Sequence, residues 1–318
     1  MRRLLFYADG EVLFVENYFK GCVYIIMSAV IFGCMPLMAK NIYAQGVNAI
    51  SLVLLRNVLA LPVLYFLLRA RKIDVRPTRR MLKRIVLLGL YGSVLTPALL
   101  FSSYNYISSG MATTLHFVYP VFVLLGCAVF YHDKIGRIKG CCVLLCSAGM
   151  LFFYTPGENA QFFGMALAVI SGITYAAYIV YLDKSGLGKE NPFQIGFGMA
   201  VVCSLLLGTG VTLTGNLTLP ASFFAWALCL FFAVAIMVGA VVLFQMGTAV
   251  IGPQRAAILS TFEPITGITV GILVFREPFG LKTALGSMLI IAAVVMLTVF
   301  DKKASAKKVP AISTGPQL

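Results

Sequence analysis

The sequence predicts an all-α polytopic membrane protein with ten transmembrane helices arranged as two inverted five-helix repeats. Three observations carry this prediction. Of 318 residues, 60% are hydrophobic and 11% are charged, whereas soluble domains carry about a quarter charged residues. Apolar stretches long enough for helices of roughly 20 residues recur along the chain, separated by short polar joints that leave no room for a soluble domain. The second half of the chain also lies over the first at a shift of about 144 positions.

Residues 1–18, "MRRLLFYADGEVLFVENY", have their apolar run interrupted by Asp9, Glu11 and Glu16. They read as a short cytoplasmic extension, and the first span serves as its own insertion signal. The first repeat, 19–155, holds spans over 20–40, 48–68, 84–104, 110–131 and 138–154. Its first span ends at Lys40, its second carries the single charge Arg56, and its fourth carries His116, Tyr119 and Pro120. The second repeat, 160–300, holds spans over 162–182, 193–213, 222–245, 253–275 and 281–300, with Glu263 and Pro264 inside the ninth. A basic tail, 301–318, follows.

The register of the repeat is best around the two prolines. "LHFVYPVFVLLGCAVFYHDKIG" lies over "LSTFEPITGITVGILVFREPFG", so that Leu115 meets Leu259, Pro120 meets Pro264, Asp133 meets Glu277 and Gly136 meets Gly280. Five spans is an odd number, so the second repeat enters the membrane from the opposite side and runs inverted. Inverted repeats of this kind are typical of secondary transporters, whose substrate site lies near the midplane between the halves.

The net charge of +14 is placed for topology rather than for nucleic acid. With the N-terminus inside, the cytoplasmic segments collect 21 of the 25 Lys and Arg residues. The opposite joints "NIYAQGVN", "SYNYISS", "YTPGENAQ" and "TLTGNLTLPAS" hold none, which is the positive-inside pattern. Both termini are therefore expected in the cytoplasm, and the stretch "RARKIDVRPTRRMLKR" against anionic headgroups. The eight cysteines show no metal spacing with the two histidines and read as small packing residues. The sequon Asn216-Leu217-Thr218 reads as chance.

Several intramembrane residues stand out as candidates for substrate binding or coupling. Glu263 lies about ten residues into its span, roughly 15 Å along the axis and hence near the midplane of a core about 30 Å thick. A carboxylate there costs on the order of 2.5–3.5 kcal/mol on insertion scales, so it should face a cavity or a partner. Pro264 should free the carbonyl of Ser260, and Pro120 that of His116. Ser260 and Glu263, like His116 and Tyr119, share a helix face by their spacing of three. Glu263 reads either as a packing carboxylate or as a group meeting a proton or an amine. Arg56, whose repeat mate is Met199, reads either as structural or as the partner of a substrate carboxylate or phosphate. Tyr104, Tyr175 and Tyr178 would suit a cavity that stacks an apolar or aromatic substrate. Lys40 and Asp183 read as boundary residues.

The chain also resembles the drug/metabolite transporter superfamily, EamA type, from about residue 19 to 300. The resemblance is carried by Phe32-Gly33 in the first span, Arg56 and Ala60 in "LLRNVLA", "SSGMATT" at 108–114, the paired mid-helix prolines, and the acidic closers Asp133 and Glu277. The family often has Trp where Phe32 stands, and the embedded glutamate of the related four-helix multidrug proteins is missing from span one. The resemblance implies a ten-helix exporter or exchanger of amino acids or related small metabolites in the plasma membrane, as in a bacterial inner membrane. Protons are a candidate coupling ion, and no cofactor, metal or nucleic acid is implied. No nucleotide-binding loop of the form G-x-x-x-x-G-K-[ST] is present. A lipid-modifying membrane enzyme would need a clustered acid/base or metal set, where this chain offers isolated residues. A non-transporting scaffold would need an extramembrane binding domain.

Overall fold

The computed structural model describes residues 2–75, 77–131, 137–153, 159–187, 190–251, 256, 259–277 and 280–306. Among these, every regular element is helical. The helices are α1 (Arg2–Gly33), α2 (Met35–Tyr43), α3 (Ala49–Ala70), α4 (Arg79–Gly89), α5 (Thr96–Ser103), α6 (Ser109–His116), α7 (Tyr119–Tyr131), α8 (Arg137–Phe152), α9 (Asn159–Lys184), α10 (Pro192–Leu213), α11 (Phe223–Ala233), α12 (Val241–Ile251), α13 (Phe262–Leu273) and α14 (Leu281–Ala306). Asp133 and Gly136 of the repeat register lie outside the described residues, as do Pro253, where the ninth expected span begins, and Lys134, Lys189, Arg255, Lys307 and Lys308 among the basic residues counted as cytoplasmic.

Helix starts follow local chemistry. The side chains of Asn48, Thr78, Ser108, Asn191 and Ser222 each accept from a backbone N–H two or three residues on, satisfying donors that have no intrahelical partner. Among the described residues, six helical stretches are long and apolar enough to cross a membrane: Tyr18–Tyr43, Ala49–Ala70, Arg79–Ser103, Asn159–Leu182, Pro192–Leu213 and Phe223–Thr248. Gly140–Phe152, Phe262–Leu273 and Leu281–Met296 are apolar but shorter. The fourth expected span is divided between α6 and α7. The segment expected as an extension before the first span is helical from Arg2 and continuous with it.

Two π-helical segments interrupt long helices, Leu90–Leu95 between α4 and α5 and Val234–Ala240 between α11 and α12. They begin 144 residues apart, the shift that superimposes the two halves of the sequence. Nothing in the sequence reading anticipated them. Only the first is followed by a proline, Pro97, and widened turns of this kind are frequent at functional sites.

Helix α1 packs on α12 and α13, whereas α9 packs on α5, α6 and α7. Between them α3 packs on α10, α6 on α13, and α8 on α14. At one end, Asn48 N–H donates to Thr218 Oγ1 at 2.7 Å and Thr218 N–H to Ser51 Oγ at 2.9 Å. At the other, Gln194 Nε2 donates to the Asp74 carbonyl at 2.9 Å and Arg84 to the Ser185 carbonyl at 2.6 Å. The centre is filled by Phe101, Phe117, Phe232, Leu52 and Leu115, all fully buried. The periphery exposes Phe223, Leu213, Leu281 and Phe66, a surface that lipid, not water, would cover.

Candidate functional site

The helices α7 and α13 each start at a turn just before the paired prolines. Val118 N–H bonds to the Leu115 carbonyl at 3.3 Å, and Glu263 N–H to the Ser260 carbonyl at 2.9 Å. The second bond corrects an expectation: Pro264 does not leave the Ser260 carbonyl spare. The turn tightens to an i→i−3 pattern, and the residue before the proline takes up the acceptor. The Ser260 hydroxyl is likewise committed, to the Ala256 carbonyl at 2.9 Å. Ser260 is buried, and its hydroxyl proton is spent on a carbonyl four residues back in its own segment.

Each break is met by a glycine of the opposite half. A Cβ on Gly33 would lie 2.6 Å from the Glu263 carbonyl oxygen, and one on Gly172 would lie 2.9 Å from that of His116. Backbone cannot yield as a side chain can, so only glycine lets α1 approach the ninth expected span, and α9 the fourth, this closely. Phe32 is half-buried against the central core beside Gly33.

Four of the expected residues form one aromatic group. The rings of Tyr119 and Tyr175 meet edge to face at 4.8 Å, His116 lies 5.4 Å from Tyr175, and Tyr175 stacks on Tyr178 at 5.5 Å. Tyr178 in turn lies against Gly92 of the first π-helical segment. His116 Nδ1 is 2.8 Å from Ser171 Oγ, whose single proton goes to the Ala168 carbonyl at 2.6 Å. Ser171 must then accept, which places a proton on His116 Nδ1. Glu263 is within electrostatic range of Tyr104, Tyr119 and Tyr175. Arg56 is within electrostatic range of Tyr104 and Cys203, its guanidinium 5.3 Å above the Phe101 ring. The structure thus gathers Glu263, His116, Tyr119, Tyr175 and Tyr178, with Tyr104 reaching toward Arg56.

Sequence reading missed a second polar cluster, at the end of the bundle where α2 and α13 finish and α6 begins. Lys40 Nζ donates to Glu277 Oε1 at 2.7 Å. The same carboxylate accepts from Ser109 N–H at 3.0 and 3.1 Å and from the Ser109 hydroxyl at 2.9 Å. A carboxylate on the first turn of α6 also meets the positive end of that helix. Gly271 leaves room for the carboxylate, since a Cβ there would collide with Oε2. Arg276 takes φ 51°, turning the chain back so that Glu277 N–H reaches the Gly271 carbonyl at 3.0 Å. Desolvation raises the Glu277 pKa, but the bonds from Lys40 and Ser109 together with the Lys40 charge outweigh it and hold the carboxyl below 4.5. Beside this cluster opens a cleft of about 840 Å³ lined by Lys40, Asn105, Ser108, Asn159, Gln161 and Glu277. The signal was present, because Glu277 was noticed as an acidic closer and Lys40 as a boundary residue. Sequence spacing could not pair two residues 237 positions apart.

Among the described residues no group of three or more His, Cys, Asp or Glu side chains could hold a metal ion. The family model described as "EamA-like transporter family" matches residues 19–155 and 162–299. The uncharacterized transporter YcbK of Bacillus subtilis is 27% identical over 84% of this chain and 88% of its own length. An uncharacterized transporter of Archaeoglobus fulgidus is 29% identical over 86% of this chain and 94% of its own length. A protein known from a crystal structure, 14% identical, shares the fold at a TM-score of 0.63 over 89% of this chain and 98% of its own.

Proposed function

Since the chain belongs to the EamA-like transporter family, we propose that it is a secondary transporter, an exporter or exchanger of amino acids or related small metabolites, working by alternating access. Its ten spans form two inverted repeats around a midplane site built from Glu263, His116, Tyr119, Tyr175 and Tyr178. The observation that carries this reading is the Lys40–Glu277–Ser109 cluster. It ties the ends of three helices from both halves at one end of the bundle, as a closed gate would.

The exchange of packing partners supports the same mechanism. Helix α1 leaves its own half to pack on α12 and α13, and α9 leaves its own to pack on α5, α6 and α7. An inverted pair of repeats rocking against each other needs such reciprocal seats. With α1 and α9 as the elements that change seat, the midplane group opens to one side and then to the other. The substrate's own gradient or a proton gradient supplies the energy.

In a variant with its native cysteines replaced, Thr113→Cys sits one turn inside the gate on α6. Lys40→Ala is expected to raise the labelling of that cysteine by a membrane-impermeant thiol reagent several-fold, as loss of about 1–3 kcal/mol of charge-assisted bonding would do. Proteoliposomes preloaded with a panel of amino acids should take up the labelled amino acid by exchange. Unchanged labelling disproves the gate. Absence of exchange for every member of an amino acid, nucleoside, sugar phosphate and amine panel disproves transport of these classes.

A further inference from the structure

We propose that Arg56 and Tyr104 form a carboxylate-binding subsite that holds the anionic end of the transported molecule. Arg56 is 7% exposed and Tyr104 is 4% exposed, yet the Arg56 Nε has no hydrogen-bond partner, and the Tyr104 hydroxyl, which lies beside Thr113, makes no bond of ordinary geometry. Among the described residues no carboxylate is paired with Arg56, whereas Lys40 is paired with Glu277.

A guanidinium stays charged in a protein, so Arg56 carries a charge in the bundle interior that no carboxylate among the described residues compensates, a costly placement. The Phe101 ring under its face offsets part of that cost at a centroid distance of 5.3 Å, but a cation–π contact does not use the in-plane Nε–H donor, which stays unsatisfied. Packing could have been served by an apolar side chain of similar length. Keeping a guanidinium here, with the Tyr104 hydroxyl within electrostatic range, leaves an Nε–H donor that nothing among the described residues accepts from.

The ligand that satisfies both has one negative charge and at least two acceptor oxygens in a plane. A carboxylate meets this, taking paired N–H bonds from Arg56 and an O–H bond from Tyr104. A phosphate dianion would bring twice the charge against a single cation. Tyr104 is within electrostatic range of both Arg56 and Glu263, so a small molecule with its carboxylate on Arg56 would reach toward the aromatic group around Glu263. The use of this subsite in transport rests on the transporter reading above; its occupancy does not.

The test is thermal unfolding of the detergent-purified full chain with L-leucine, L-phenylalanine, L-lactate or succinate. The matched controls are the corresponding amides, and inorganic phosphate probes the alternative anion. At saturation at least one carboxylate is expected to raise Tm by about 3 °C or more, and its amide to leave Tm unchanged. Arg56→Met should fold with an equal or higher Tm, because the unpaired charge is gone, and should lose the response. Arg56→Lys and Tyr104→Phe should each weaken it roughly tenfold in the concentration needed. No shift with any of the four carboxylates, an equal shift with the amides or with phosphate, or a response retained in Arg56→Met would overturn the proposal. Should Arg56→Met fail to fold, Tyr104→Phe decides: an unchanged dose response overturns it. The gate-labelling result for Thr113→Cys is independent of all these outcomes, so either reading can fail alone.

Discussion

Glu263 is the residue on which sequence and structure bear most directly. Depth along a helix could be counted from the sequence, and the company of the side chain could not. The carboxylate sits within electrostatic range of Tyr104, Tyr119 and Tyr175, and its helix is held against α1 by Gly33. Glu263→Gln keeps the size and removes the charge, so it separates packing from chemistry. We expect transport in proteoliposomes to slow by roughly tenfold, about 1.4 kcal/mol in the barrier, and its pH dependence to flatten. An unchanged rate–pH profile would make Glu263 a packing carboxylate. Ser260 shows why residue-scale reading stops short. A missing N–H at Pro264 predicts a spare carbonyl four residues back, but the Glu263 N–H closed the turn on it at 2.9 Å, a choice the backbone makes only in three dimensions.

At the scale of elements, the fourth and ninth expected spans are legible as broken helices because proline acts locally. The matched π-helical segments Leu90–Leu95 and Val234–Ala240 were not, because a widened turn depends on what packs beside it. Tyr178 lies against Gly92 in the first, and nothing in "LYGSVL" announces that. The gate belongs to this scale too. Gly271→Ala puts a methyl group where the Glu277 carboxylate lies, so it should reproduce the labelling increase of Lys40→Ala while leaving both charges in place. The acidic pKa of Glu277 sets the pH dependence. A carboxyl held below its ordinary value stabilises the tied state fully above about pH 4.5, and that stabilisation is lost as pH falls through the lowered value. Labelling of Thr113→Cys should thus stay flat from neutral pH down to that range and rise only below it. A rise between pH 7 and 6 would assign the gate to another titrating group.

For the whole molecule, the topology inferred from charge placement makes a prediction of its own. In whole cells, cysteines placed in the 41–47 joint should react with an impermeant thiol reagent, and those in the 69–84 loop should not; the reverse pattern would invert every span. The all-helical, membrane-embedded character and the kinship to EamA-like transporters were determined by the sequence alone. Composition, the run lengths of apolar residues and the repeated prolines are properties of the chain that need no partner to be read. Only the tertiary structure decided that Lys40 meets Glu277, that Gly33 and Gly172 seat the two broken helices, that the Ser260 carbonyl is taken, and that Arg56 is buried beside Tyr104 without a counter-ion. All but the Ser260 bond are contacts between residues far apart in sequence. Within a membrane, where apolar surface is common to every helix, small residues and polar pairs rather than hydrophobic pattern settle which helix packs on which.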